Sequence, residues 1–212
     1  LPCCFESIAV LSALLVTPWG TFVKRAEHDQ SAHGNRGGQA EPGGYKLAEN
    51  EKQSMKARAQ TAKRVRAVWD TLPPEHRPPR LEITLVDRVV NPSGKRVAGF
   101  ARSTGEVSIS TKLGDTPGVT FEQVLAHEIG HAYQFQSNLS VGGAWSEDVA
   151  RISWQSPESH LVRHYALNER EGFAQSYAYV TGHVQRNKQE FAKLFPRTID
   201  AMRNLLRLRE AP

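Results

Sequence analysis

Two histidines and a glutamate in the segment H-E-I-G-H have the types and the spacing of a zinc site with a general base. His127 and His131 are four residues apart, so a helix would place them one turn apart on the same face. Two neutral imidazoles at that spacing can bind a single Zn²⁺. Glu128 lies next to the first histidine and can accept a proton from an attacking water without binding the metal. The spacing therefore predicts one zinc ion per chain and a hydrolase, above all a peptidase.

A catalytic zinc site needs a third protein ligand, and the later segment 168–177 offers two carboxylates, Glu169 and Glu171. These residues are two apart, so on a helix they would point to nearly opposite sides. Only one of them can bind the metal. The other could orient a ligand histidine or simply be solvated. The residues alone leave this choice open.

Together, the motifs H-E-I-G-H-A and N-E-R-E-G-F-A resemble the zinc metallopeptidase domain of anthrax lethal factor and its relatives, which include the secreted Pro-Pro endopeptidases. These are minimal zincins of the gluzincin type. The resemblance implies an α+β, mainly helical zincin fold with a small sheet, and zinc-dependent cleavage of peptide or protein substrates. In that family the third ligand is the glutamate of E-x-F-A, which is Glu171 here. Thermolysin-like enzymes use the glutamate of N-E, so Glu169 is the alternative.

The same family has a tyrosine upstream of the third ligand that helps to stabilise the transition-state oxyanion. Tyr165 lies six residues before Glu171, whereas the family spacing of seven falls on His164. Either side chain can donate a hydrogen bond to a developing oxyanion, so both are candidate catalytic residues. Helix packing of an aromatic residue explains Tyr165 equally well.

A hairpin is predicted before the metal helix. The segment 81–86 alternates like a strand, and the segments 97–102 and 106–110 flank Ser-Thr-Gly. The string G-F-A-R-S-T-G-E-V-S-I resembles the hairpin of the lethal factor-like domains. Zincins place an edge strand above the metal helix, where an extended peptide can add to the sheet. We therefore predict the second hairpin strand as the substrate-binding edge, with the residues Val107, Ser108, Ile109 and Ser110.

The elements that must position these residues follow from periodicity and capping. Thr120 and Gln123 have the spacing of a capping box, which predicts the start of the metal helix over 120–136. A sheet is predicted over 81–111. The remaining predicted helices cover residues 46–71, 146–154, 166–181, 185–195 and 197–209.

Length and composition indicate one domain with a tail. The chain has 212 residues, of which 39% are hydrophobic, and its 27 Lys and Arg against 22 Asp and Glu give a net charge of +5. The basic residues of 52–66 alternate with apolar ones, which favours a solvated helix face, so no nucleic-acid partner is expected. The predicted division is a flexible tail over 1–45 and a peptidase domain over 46–212.

The tail itself carries two features. The apolar run 8–16 is as long as a signal-peptide core but too short to span a bilayer, so no stable membrane span is expected. The string H-D-Q-S-A-H-G at 28–34 is similar to segments of bacteriophage head-morphogenesis proteins. That similarity implies phage virion components as partners and a location in the virion or host cytoplasm, with secretion as the alternative. The competing function is a non-catalytic virion-associated or interaction protein that retains the zincin fold.

Overall fold

The computed structural model describes residues 44–48, 55–112 and 118–207, which form a mixed α+β fold, as predicted. The helices in these ranges are α1 (Met55–Thr71), α2 (Phe121–Ser137), α3 (Gly142–Arg151), α4 (Pro157–Val162), α5 (Glu169–Val180), α6 (Lys188–Leu194) and α7 (Pro196–Leu205). The strands are β1 (Lys46–Ala48), β2 (Glu82–Val86), β3 (Val89–Val90), β4 (Arg96–Val97), β5 (Gly99–Ala101) and β6 (Glu106–Ser110). Short 3-10 turns cover Pro74–His76 and Arg163–Ala166. The apolar run 8–16 and the phage-like segment 28–34 lie outside the described residues.

The main sheet has the strand order β1-β2-β6-β5, and β3 pairs with β4 in a separate two-stranded sheet. Strands β1, β2 and β6 run parallel, whereas β5 is antiparallel to β6. The predicted hairpin is confirmed, with Gly99 opposite Ile109 and Ala101 opposite Val107. Its turn contains Gly105 at φ 93°, a backbone conformation that glycine adopts without steric cost.

The prediction that β6 is the edge strand is wrong. This strand lies between β2 and β5, so both of its edges are hydrogen-bonded within the sheet. The side chains of Val107, Ile109 and Ser110 are buried, and Ser108 is partly buried. The error arises because the parallel pairing of β2 with β6 joins segments that are distant in sequence. The edge of the sheet next to the hairpin is β5.

The predicted helix over 46–71 is wrong at its beginning. Residues Lys46–Ala48 form β1, in parallel pairing with β2, and the described part of α1 begins at Met55. Lys46 Nζ lies 3.5 Å from Glu82 Oε1, and the Tyr45 ring packs edge-on against Trp69 at 5.4 Å between ring centroids. These long-range contacts override the local helical preference of the segment.

Later helices agree with the predictions to within a few residues, with two exceptions. Helix α3 begins at Gly142 and not at residue 146, and the short helix α4 was not predicted. Helices α6 and α7 are separated at Pro196, as expected, because proline begins a helix without losing an internal hydrogen bond.

The core lies where α2 packs against both α5 and the sheet. Leu125 and Ile129 of α2 are fully buried, as are Ile83 and Ile109 of the sheet. Gly130 lets the two helices approach closely, because a Cβ atom at this position would lie 3.1 Å from both Ala174 Cα and Tyr177 Cβ. This close crossing brings the histidines of α2 towards the first turn of α5.

Candidate metal centre

Helix α2, which carries the H-E-x-x-H motif, is fixed at its N-terminus by side chains. Thr120 Oγ1 accepts a hydrogen bond from the Gln123 amide at 3.1 Å, the first half of the predicted capping box. The Gln123 side-chain oxygen accepts hydrogen bonds from the Gln185 and Arg186 amides at 3.1 and 3.2 Å. It therefore ties the start of α2 to the chain that follows α5, which helps to fix the relative position of the two helices.

Helix α5 begins in a way that directs Glu171 towards the histidines. Asn168 caps the helix, and its side-chain oxygen accepts a hydrogen bond from the Glu171 amide at 3.1 Å. Glu171 Oε2 lies 3.3 Å from His127 Nε2, and Glu171 Oε1 lies 3.7 Å from His131 Nε2. The structure thus brings together three of the side chains predicted as zinc ligands.

The geometry of this group fits a metal ion. Each of His127, His131 and Glu171 offers one ligand atom, and these atoms all lie within 4.8 Å of one another. Ligand atoms around a tetrahedral zinc with bonds of about 2.0–2.1 Å lie roughly 3.3–3.4 Å apart. The shortest separations are 3.3 Å from His127 Nε2 to Glu171 Oε2 and 3.7 Å from His131 Nε2 to Glu171 Oε1, one for each carboxylate oxygen, and the first of them matches that value. The group could therefore hold one metal ion.

Glu169, the alternative third ligand, is engaged elsewhere. Its carboxylate accepts hydrogen bonds from Gln134 Nε2 and the Val141 amide, both at 2.9 Å, and from Ser140 Oγ at 3.3 Å. It points away from Glu171 because the two residues lie two positions apart on α5. The choice of Glu169 as a ligand is therefore not supported. Its role is to link α5 to the end of α2 and the start of α3.

The charges within the group are strongly coupled. Burial alone would raise the pKa of Glu171, but the imidazoles of His127, His131 and His164 beside its carboxylate outweigh burial and hold that pKa far below its usual range. Burial would lower the pKa of His127. The hydrogen bond to Glu171 and the charges of Glu128 and Glu171 reverse that effect and raise the His127 pKa. Glu171 is thus an anion that these histidines stabilise.

Glu128 is buried beside the group, with 7% of its surface exposed. Burial raises its pKa, as does the charge of Glu171, while His127 and His131 act in the opposite direction. The Ala101 backbone also lowers this pKa through a hydrogen bond to the carboxylate. A carboxylate with a raised pKa next to two imidazoles is suited to accept and return a proton.

The two candidate oxyanion donors differ in exposure. His164 is 64% exposed in its side chain, and its Nε2 lies 2.8 Å from Glu171 Oε2. The Tyr165 ring lies 6.2 Å from that of His127 and packs edge-on against Phe191 at 5.5 Å, both between centroids. Burial, followed by the charge of Glu171, raises the pKa of Tyr165 to about 12. Both residues lie in the 3-10 turn Arg163–Ala166, before the helix that was predicted to begin at residue 166.

Sequence reasoning missed Gln175, which interacts with the candidate ligand His127. This residue is fully buried on α5, one helical turn after Glu171. Its side chain hydrogen-bonds to His127 and raises the pKa of that imidazole, as an accepting carboxamide oxygen does. An acceptor of this kind fixes the orientation of a ligand imidazole. The spacing of four residues from Glu171 was the available signal.

Trp145 was also missed, although it holds the segment that carries His164 and Tyr165. Its indole N–H donates a hydrogen bond to the Tyr165 carbonyl at 3.0 Å. A Cβ atom on Gly172 would lie 2.4 Å from Trp145 Cδ1, so the indole fits only because position 172 is glycine. Nothing in the local pattern around Trp145 indicated this contact.

Comparison with known proteins adds no relative to this picture. No model of a known protein family matches the chain, and no curated protein is significantly similar to it. Among the described residues, no helix has both the length and the apolar character needed to cross a membrane.

Proposed function

We propose that the protein is a zinc-dependent endopeptidase with a gluzincin-type site, similar to the lethal factor catalytic domain. The observation that carries this proposal is the convergence of His127, His131 and Glu171, whose ligand atoms all lie within 4.8 Å of one another. A metal site of this composition, with three protein ligands, is typical of hydrolytic zinc and not of a closed structural site. The buried glutamate next to the first ligand is the second requirement of that chemistry.

In this proposal His127, His131 and Glu171 hold the zinc, and Glu128 moves protons. A bound zinc supplies Lewis-acid polarisation of the scissile carbonyl and lowers the pKa of the attacking water. Glu128 accepts the proton of that water and delivers it to the leaving amine. Its burial favours this role, because a raised pKa makes the carboxylate a better proton acceptor.

The oxyanion that forms as water attacks needs a hydrogen-bond donor. Tyr165 keeps its proton at neutral pH, since its pKa is raised to about 12, and its hydroxyl is therefore a permanent donor. His164 is the more exposed donor and must leave Glu171 before it can reach a substrate. Tyr165 and His164 both remain candidates for the oxyanion donor, and replacing each in turn would identify which one acts.

The free edge of β5 is the proposed binding line for an extended peptide. The Ser110 amide donates to the Ala98 carbonyl, and the Arg102 amide donates to the Glu106 carbonyl, both at 2.8 Å. Because backbone groups alternate along a strand, the amide and carbonyl of Gly99 and the carbonyl of Ala101 face away from β6, while the Ala101 amide bonds to Glu128. A peptide or protein segment could add there as a further strand.

Phage virion components as substrates or partners are a further proposal that rests on the segment 28–34 alone.

A second candidate function has one observation in its favour. His164 Nε2 lies only 2.8 Å from Glu171 Oε2, and a histidine as the fourth ligand would close the site and make the zinc structural. The protein would then be a non-catalytic interaction protein with a zincin fold. Among the described residues, however, the group with mutually close ligand atoms comprises His127, His131 and Glu171, without His164. We therefore favour the catalytic site.

The test combines metal analysis with proteolysis on one preparation of the full chain. We expect one zinc per chain and cleavage of an unstructured protein such as casein that a chelator abolishes. The Glu128→Gln variant keeps the shape of the side chain but not its basicity. It should retain zinc and the circular dichroism spectrum while turnover falls by about 10²–10⁴-fold. Cleavage by Glu128→Gln at the wild-type rate, or no cleavage of a broad peptide library by the zinc-loaded wild type, would overturn the proposal.

A further inference from the structure

Strand β5 contacts the proposed general base through a residue that has no side chain. A Cβ atom at Gly99 would lie 2.6 Å from Glu128 Cγ, 2.7 Å from Oε1 and 2.9 Å from Cδ. All three distances are shorter than the contacts that real Cβ atoms make. Gly99 is not among the glycines with positive φ, so the backbone conformation does not require glycine here. Glycine is required at position 99 because any side chain there would overlap Glu128.

A second interaction from the same strand also reaches this carboxylate. The Ala101 amide faces away from β6 and donates a hydrogen bond to Glu128. The Glu128 side chain therefore lies against the bare Cα of Gly99 and is held by the amide two residues further along β5.

Helix α2 cannot move back to make room for a larger residue at position 99. Leu125 and Ile129, which lie three residues before and one residue after Glu128, are fully buried in the core. Gly130 already lies so close to α5 that a Cβ atom there would be only 3.1 Å from Ala174 Cα. A methyl group at position 99 would thus be accommodated by the flexible Glu128 side chain, which would rotate away from its place beside His127 and His131.

We propose that Gly99 is a positioning residue for Glu128: the missing side chain at this point of β5 sets where the carboxylate stands relative to the three candidate ligands. The inference rests on the proposed function for its catalytic consequence. The contact itself is independent of that function. Position 99 thereby couples the edge strand of the sheet to the general base on α2.

The first experiment measures turnover and metal content of Gly99→Ala. We expect about a 10²-fold loss in kcat, the scale of a displacement of about 1 Å in a catalytic group, with KM and zinc content unchanged. Gly143→Ala is the matched control, because a Cβ atom there has no neighbour within 4 Å. A wild-type kcat for Gly99→Ala would overturn the inference.

The second experiment does not depend on turnover. A double-mutant cycle compares Gly99→Ala in the wild type and in Glu128→Ala, using thermal unfolding and the visible absorption spectrum of the cobalt-substituted protein. We expect Gly99→Ala to lower the Tm and to shift the cobalt bands in the wild-type background, and to do neither when position 128 is alanine. Equal effects in both backgrounds would overturn the inference. If the cycle shows coupling but the zinc-loaded wild type cleaves nothing, the contact stands and the peptidase proposal fails.

Discussion

Two regions of this protein supply the candidate site, and they differ in how exposed they are to solvent. The face between α2 and α5 is part of the core, and it carries His127, His131 and Glu171. The 3-10 turn Arg163–Ala166 carries His164, whose side chain is 64% exposed, and is followed by Leu167, which is 65% exposed. Core packing surrounds the face between α2 and α5, whereas the His164 side chain of the turn is open to solvent. We infer that metal affinity and turnover depend on different regions and can be changed separately.

The largest expected effect is a loss of zinc affinity when a ligand on the buried face is replaced. Glu171→Ala removes a carboxylate that lies 3.3 and 3.7 Å from the two histidine nitrogens. We expect zinc affinity to fall by more than about 100-fold, which exceeds the usual effect of losing a residue that only orients a ligand. Elemental analysis and competition with a chromogenic chelator measure it.

Glu169→Ala is the control for that prediction, because its carboxylate bonds to Gln134 and Val141 and not to the candidate ligands. This variant should keep most of its zinc affinity while losing stability. Strong metal loss in Glu169→Ala together with full zinc in Glu171→Ala would reverse the assignment.

The contrast between these two glutamates shows what the sequence could predict. The helical spacing of two residues indicated that only one could bind the metal, and local signals also gave the cap at Thr120 and the hairpin turn at Gly105. Which glutamate faces the histidines depends on the crossing of α2 and α5 at Gly130. That crossing is a contact between distant segments, and no local pattern encodes it.

The same reasoning explains the errors in the sheet. Strand β1 and the interior position of β6 both result from parallel pairing with β2 across intervals of more than twenty residues. Alternating apolar residues indicate a strand but not its neighbours. The contact of Trp145 with Gly172 and the Tyr165 carbonyl is likewise long-range, and was missed for the same reason.

The exposed turn should affect turnover without affecting the metal. Removing one oxyanion donor costs about 10²–10³-fold in kcat in enzymes of this kind of chemistry. We expect a loss on that scale from either Tyr165→Phe or His164→Ala, with zinc content unchanged. Steady-state kinetics on one peptide substrate would identify the donor.

Two outcomes would change this assignment. Loss of zinc from His164→Ala would make His164 a ligand and favour the structural alternative. Wild-type kcat in both variants would mean that neither side chain stabilises the oxyanion.

A smaller loss of zinc affinity is expected when Gln175, which orients His127, is replaced. Gln175→Leu keeps the buried volume but removes the oxygen that bonds to the imidazole. We expect zinc affinity to fall by about 10–100-fold, with most of the kcat retained at saturating zinc. Ser176→Ala is the control, since Ser176 is equally buried and its hydroxyl has no hydrogen-bond partner in the described residues. Equal zinc affinity in Gln175→Leu and Ser176→Ala would contradict the role given to Gln175.

The smallest effect concerns the pH dependence of stability without metal. The pKa of Glu171 is lowered, so its contribution is complete above about pH 4.3, its unfolded value, and is lost as the pH falls. The pKa of His127 is raised, so its contribution is complete below about pH 6.5 and is lost as the pH rises through the folded value. The chelator-treated protein should therefore become less stable as the pH rises above about 6.5. Zinc should stabilise it increasingly over that range, because the metal binds neutral imidazole. Urea unfolding at a series of pH values measures how the free energy of unfolding changes with pH, once with chelator and once with zinc. Glu171→Ala should abolish the pH dependence of the metal-free protein. A metal-free slope that is the same in wild type and Glu171→Ala would show that the buried face does not hold the charges described here.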